Sequence, residues 1–140
     1  VTVHYLDNAA TTPVGPAAIE AMVPLLTEHY GNPSGAHRMA REANRVLDDA
    51  RETMAEALGA EPGQIVFTAG GTEADNLAIT GAVNHRRASG HPGAVPVCSA
   101  IEHHAVIDPV LHHGGRAVGV GADGVIDLDR LAATLDEATG

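Results

Sequence analysis

A chain of 140 residues with 44% hydrophobic content can form one modest domain, but at 2% aromatic content its core has to be built from Ala, Val, Leu and Ile. The formal net charge of −10, with arginine as the sole strongly basic residue type, argues against nonspecific binding to nucleic acid or an anionic membrane. No apolar run approaches a membrane span, no basic-then-apolar leader opens the sequence, and a single cysteine, Cys98, excludes a disulfide framework and suits a reducing cytoplasm.

In chain order, residues 3–6 are short and extended. Asp7, Asn8, Ala9, Ala10, Thr11, Thr12 and Pro13 then make a loop of small, turn-forming residues that either packs closely or lines a site. Pro16 suits a first helical turn, and Ile19, Met22, Val23, Leu25 and Leu26 continue it as a helical stripe, which Pro24 should kink or end. Gly31-Asn-Pro-Ser-Gly35 is a turn cluster. The longest helix is expected over residues 36–58. Met39, Ala43, Val46, Leu47, Ala50, Met54 and Leu58 recur at three- and four-residue steps, charged residues fill the other side, and Gly59 is placed to terminate it.

Strand and helix patterns then alternate. Strands are expected over 64–68, 95–99 and 116–120, and helices over 72–86 and 103–113. Gly114 and Gly115 stop the second of these helices. A turn over 121–124 leads to a last helix that Asp127 caps. This order predicts an α/β fold with a largely parallel sheet, whose ligands collect beyond the carboxyl ends of the strands.

The stretch from Phe67 to Ile79 is the centre of the reading. Gly70 and Gly71 allow a sharp turn and a close backbone approach, Thr72 can cap the following helix, and Glu73 and Asp75 favour its first turn. A glycine turn opening a helix presents free N–H groups and a positive dipole end, a ready phosphate site. A P-loop needs a lysine and a dinucleotide fingerprint needs a third glycine; neither is here, so any phosphate cradle is of another kind.

Several segments agree in order and spacing with one family. Tyr5-Leu-Asp-Asn-Ala-Ala-Thr-Thr-Pro13, Gly31-Asn-Pro-Ser-Gly-Ala-His37, the stretch from Ile65 to Ile79, Glu102-His-His-Ala-Val106 and the Gly124-Val-Ile-Asp127 tail resemble the start of cysteine desulfurases. These are class V, aminotransferase-like enzymes of the NifS/IscS type that use pyridoxal 5′-phosphate. The resemblance spans the whole chain but only the opening part of a typical member. It implies a partial large domain of the fold type I pyridoxal-phosphate transferases, preceded by an N-terminal helical segment. Residues 1–58 would contribute to the small domain and the site rim, and residues 59–140 would begin the cofactor-binding large domain.

The resemblance also implies roles for single positions. Gly71 and Thr72 match the pair whose backbone and hydroxyl hold the cofactor phosphate; the family more often has Ala at the first of these. His103 matches the histidine that stacks on the pyridine ring and is a candidate acid/base. Asn8, Ala9 and Ala10 match a loop bordering the substrate pocket. His37 matches a histidine with no assigned chemical role. The family's cofactor-binding lysine, pyridine-nitrogen aspartate and persulfide-forming cysteine lie further along. The complete enzyme would turn L-cysteine into L-alanine and pass a persulfide to a sulfur-acceptor protein for iron–sulfur cluster assembly or tRNA thiolation. It would work as a cytoplasmic homodimer, with no direct nucleic-acid or membrane contact. This chain, without lysine, is expected to be inactive alone and to associate with its own kind or with the remainder of the enzyme.

Two alternatives stay open. One is another class V enzyme such as a selenocysteine lyase; another is a non-catalytic binding or scaffold domain. Read from residues alone, Cys98 is a buried inert thiol and His103 a capping or surface histidine. His103, His104, His112 and His113 lack a metal-binding motif, since adjacent pairs point to different helix faces.

Overall fold

The computed structural model describes residues 3–138, which fall into two compact units divided between Val66 and Phe67. In the first unit, helix α1 (Pro16–Thr27) starts with proline in its first turn, as expected. It runs through Pro24 and ends three residues later, where the Pro24 carbonyl accepts from both Glu28 N (2.8 Å) and His29 N (2.9 Å). Helix α2 (Arg38–Leu58) is the longest. Its N-cap is His37, whose Nδ1 accepts from Ala40 N at 3.2 Å, and it ends at Gly59 with φ +64°, the left-handed conformation that glycine adopts without strain. Ala40 and Ala55 are its buried positions.

The strand expected over 64–68 does not form. Pro62–Gln64 is a single 3-10 turn, closed by Gln64 N to Glu61 O and Glu61 N to Gln64 Oε1, both 2.9 Å. Ile65 is extended (φ −91°, ψ 124°), but residues 65–68 join no ladder among the described residues. A β-branched run sets backbone preference only; a strand also needs a neighbour to pair with.

The second unit carries the α/β pattern. Helix α3 (Gly71–Ala88) is followed by strand β1 (Val97–Ser99), helix α4 (His104–His112) and strand β2 (Arg116–Val118). The strands pair in parallel, with Val97 opposite Arg116, Cys98 opposite Ala117 and Ser99 opposite Val118. Both are shorter than expected. Pro96, which has no N–H to give a ladder, directly precedes β1. Past β2 the chain turns back through an antiparallel bridge between Val120 and Ile126.

Helix α4 is the crossover of this βαβ unit and packs on both strands and on α3. The core between them is Val83, Ala105, Val110 and Val118, with Val110 only 2% exposed. Arg87, near the end of α3, gives Nε to Ala94 O (3.0 Å) and Nη2 to His113 O (2.9 Å), tying α3 to the approach to β1 and to the end of α4. Helix α5 (Leu128–Ala138) is capped by Asp127, whose Oδ1 accepts from Asp129 N (3.1 Å) and Arg130 N (3.0 Å).

Candidate functional site

Helices α3 and α4 bring their N-termini to one hollow of about 500 Å³, whose lining includes Thr72, Asn76, Thr80, His103, Asp108 and His112. Thr72 lies in the first turn of α3 and His103 immediately precedes α4, so two sequence-predicted residues, thirty-one positions apart, line the same cavity. Gly71 is the first residue of α3.

The turn before α3 has a defined internal structure. Gly70 is the N-cap, extended, with no side chain to cap the helix. Thr72 does not cap it either, contrary to expectation, because it sits inside the first turn rather than before it. Instead Glu73 reaches back, its Oε2 accepting from Ala69 N at 2.7 Å, while Thr68 Oγ1 donates to Gly70 O at 3.1 Å. The first N–H of the helix to find a backbone carbonyl is that of Ala74, on Gly70 O at 3.1 Å. The N–H groups of Gly71, Thr72 and Glu73 therefore lie at the positive end of the dipole with no helical acceptor. A Cβ built on Gly70 or Gly71 would meet nothing within 4 Å, so this backbone faces open space.

His103 is the N-cap of α4: its Nδ1 accepts from Ala105 N at 3.1 Å. An accepting nitrogen carries no proton, so the neutral ring holds its hydrogen on Nε2. His104 Nδ1 lies 3.6 Å from Asp108 Oδ1, with both side chains exposed. Among the described residues, no group of three or more His, Cys, Asp or Glu side chains is poised to hold a metal ion.

Asn8, Ala9 and Ala10 form an exposed turn in the first unit, held by Ala10 N to Asp7 O at 3.1 Å. His37, like His103, is a helix cap. Sequence reading passed over Asn76 and the back-reaching role of Glu73. An asparagine inside a helix, where it is a poor helix former, was the available signal for the first.

A second hollow of about 700 Å³ is lined mainly by aliphatic side chains such as Ile79, Val83, Val97 and Val106, and Cys98 faces it. Burial, and secondarily the charge of Glu102, push the Cys98 thiol above its ordinary range, which favours its protonated form.

Of the unengaged N–H groups, only that of Thr72 belongs to a residue lining the first hollow; Gly71 lies outside the lining. The Thr72 hydroxyl and the His103 imidazole complete a set of donors that suits a phosphate and a flat ring. No arginine lines it, so a phosphate there relies on the helix dipole, the threonine hydroxyl and the ring N–H donors, with the Asp108 carboxylate also in the lining.

Comparison with known proteins gives the family and the fold. The family model for aminotransferase class V matches residues 4–140. The chain is 45% identical over 138 residues to an IscS-like cysteine desulfurase of Mycobacterium tuberculosis, covering 94% of this chain and 35% of that protein. It is 40% identical over 142 residues to the cysteine desulfurase IscS of Dictyoglomus turgidum, covering 96% of this chain and 35% of that protein. Among solved structures, a NifS-like protein superposes with a TM-score of 0.79 at 32% identity, covering 91% of this chain and 35% of that one. SspA in complex with cysteine gives 0.77 at 34% identity, covering 94% of this chain and 38% of that one. The chain thus spans about a third of the length of the curated relatives it matches. Its architecture is that of a partial large domain of the aminotransferase fold, and it belongs to the aminotransferase class V family.

Proposed function

We propose that this chain is part of a pyridoxal-phosphate-dependent cysteine desulfurase that converts L-cysteine to L-alanine and hands the sulfur on as a persulfide. The observation that carries the reading is the hollow shared by Thr72 and His103, in a chain whose relatives bear that name. Pyridoxal phosphate, when bound, supplies the electron sink for breaking the carbon–sulfur bond. Gly71 and Thr72 would hold its phosphate through N–H groups and the Thr72 hydroxyl. His103 would cover its ring. Because Nδ1 is committed to Ala105 N, His103 acts as a donor from Nε2, and taking a proton at Nδ1 means releasing the cap.

The chain contains no lysine, so the amine that binds the cofactor's aldehyde has to come from elsewhere in the protein. We assign residues 1–58 to the small domain, with Asn8, Ala9 and Ala10 on the pocket rim, and residues 59–140 to the start of the large domain. The working unit is a cytoplasmic homodimer that serves a sulfur-acceptor protein for iron–sulfur clusters or tRNA thiolation. Among the described residues, no helix is long and apolar enough to cross a membrane.

The test is direct. Full-length protein given pyridoxal phosphate and L-cysteine should form alanine and reducible sulfur in equal amounts. This segment alone should form neither above a protein-free control. Alanine formation by the segment, or none by the full-length protein, would overturn the proposal.

A further inference from the structure

We propose that Asn76 is a positioning residue that locks the phosphate-binding turn to the histidine-bearing turn; this rests on the functional reading above. The amide Nδ2 donates to Thr72 O at 2.9 Å, one turn back on α3, and to Ala105 O at 3.4 Å on α4. Ala105 is the residue whose N–H is held by His103 Nδ1. One side-chain amide thus connects both halves of the hollow, and Asn76 itself lines it.

The identity of the side chain follows from the geometry. Both partners are carbonyl oxygens, so the bridging group must present two hydrogens on one atom and carry no charge to oppose a phosphate. An amide does this; a carboxylate cannot donate, and a serine hydroxyl has a single hydrogen. Asparagine is an unfavourable choice for a helix interior on propensity alone, and Asn76 is exposed, so neither helix formation nor core packing calls for it.

A ligand that spans cradle and ring gains from having both held in register, whereas a ligand that uses the cradle alone does not. The experiment compares full-length protein with its Asn76→Ala and Asn76→Leu variants, using pyridoxal phosphate and, separately, inorganic phosphate as probes. Alanine is the better helix former, so α3 is not weakened, and leucine keeps the branched shape without the donors. The expected result is about a tenfold loss of pyridoxal-phosphate affinity with inorganic-phosphate affinity held within about twofold. In a His103→Asn background the same Asn76 substitutions should add little, because the partner of the alignment is already gone.

Equal loss for both probes, or unfolding of either variant, would make Asn76 a merely structural residue and overturn the inference. Unchanged pyridoxal-phosphate affinity would overturn it while leaving the functional reading intact. Failure of the unsubstituted protein to take up pyridoxal phosphate would bring down the functional reading, and this inference with it.

Discussion

His103 is asked to do two things, and substitution can separate them. Its Nδ1 caps α4 through Ala105 N at 3.1 Å, and its ring lines the hollow with Thr72. Replacing an N-cap by alanine costs about 1 kcal/mol, close to a fivefold change in a local opening equilibrium. Asparagine is a preferred cap and has no aromatic ring, so His103→Asn should restore the first function without the second. Hydrogen exchange reads the cap at the Ala105 amide, which belongs to a residue only 6% exposed. His103→Ala should speed that exchange about fivefold, and His103→Asn should leave it within about twofold of the unsubstituted protein. Cofactor retention reads the ring, and both variants should lose it to a similar degree. Equal exchange in the two variants would mean that the cap is not what holds this turn. Full retention of pyridoxal phosphate by His103→Asn would mean that the ring does not cover the cofactor.

The two glycines after α4 should respond differently to alanine. At Gly114 (φ +77°) the nearest atom to a new Cβ is Val95 Cγ1 at 4.0 Å, so the cost is backbone strain of about 1 kcal/mol. At Gly115 the new Cβ would collide with Pro96 O and lie 2.7 Å from Val110 O, so the turn has to move, at roughly 1–3 kcal/mol or more. Urea midpoints should therefore rank unsubstituted protein above Gly114→Ala and that above Gly115→Ala; a reversed order refutes the steric account. Cys98 should alkylate slowly at neutral pH, with a rate still climbing at about pH 9, because its thiol is held above the ordinary range. The stability linked to this thiol is therefore fully present below the titration of the unfolded thiol, and is lost as the pH rises from there through the titration of the folded one. A rate that levels off below about pH 8 would contradict this. The segment expressed alone should self-associate, since β1 and β2 each have an open edge among the described residues and Phe67 and Ile101 are 47% and 62% exposed. Sedimentation as a compact monomer across micromolar concentrations would refute that.

Helices were more legible than strands, for a physical reason. The periodicity that defines α2 and the glycine that ends it act within a few residues of sequence, so a linear reading captures them. The failed strand at 64–68 and the trimmed strands β1 and β2 depend on hydrogen-bonding partners that no local pattern names. Helix α3 starts after Gly70 without a side-chain cap, rather than with Thr72 as its cap, for a related reason. Which residue occupies the first turn depends on where Gly70 places the helix start, and a one- or two-residue shift turns a cap into an interior position.

The site raises a sharper question, because two histidines at two helix starts have nearly the same local geometry. His37 caps α2 at 3.2 Å and His103 caps α4 at 3.1 Å, and histidine is outside the set of residues that caps best. Capping alone therefore explains neither choice and separates neither residue from the other. What separates them is the company each keeps. His103 shares a hollow with Thr72 and, through Ala105 and Asn76, a hydrogen-bonded path to it; His37 lines neither hollow. A serine or asparagine at 103 would hold α4 as well or better, but would offer no flat face and no Nε2–H to a bound ring. A second task for the ring accounts for the less efficient cap at 103, and the paired substitutions at His103 are built to test it.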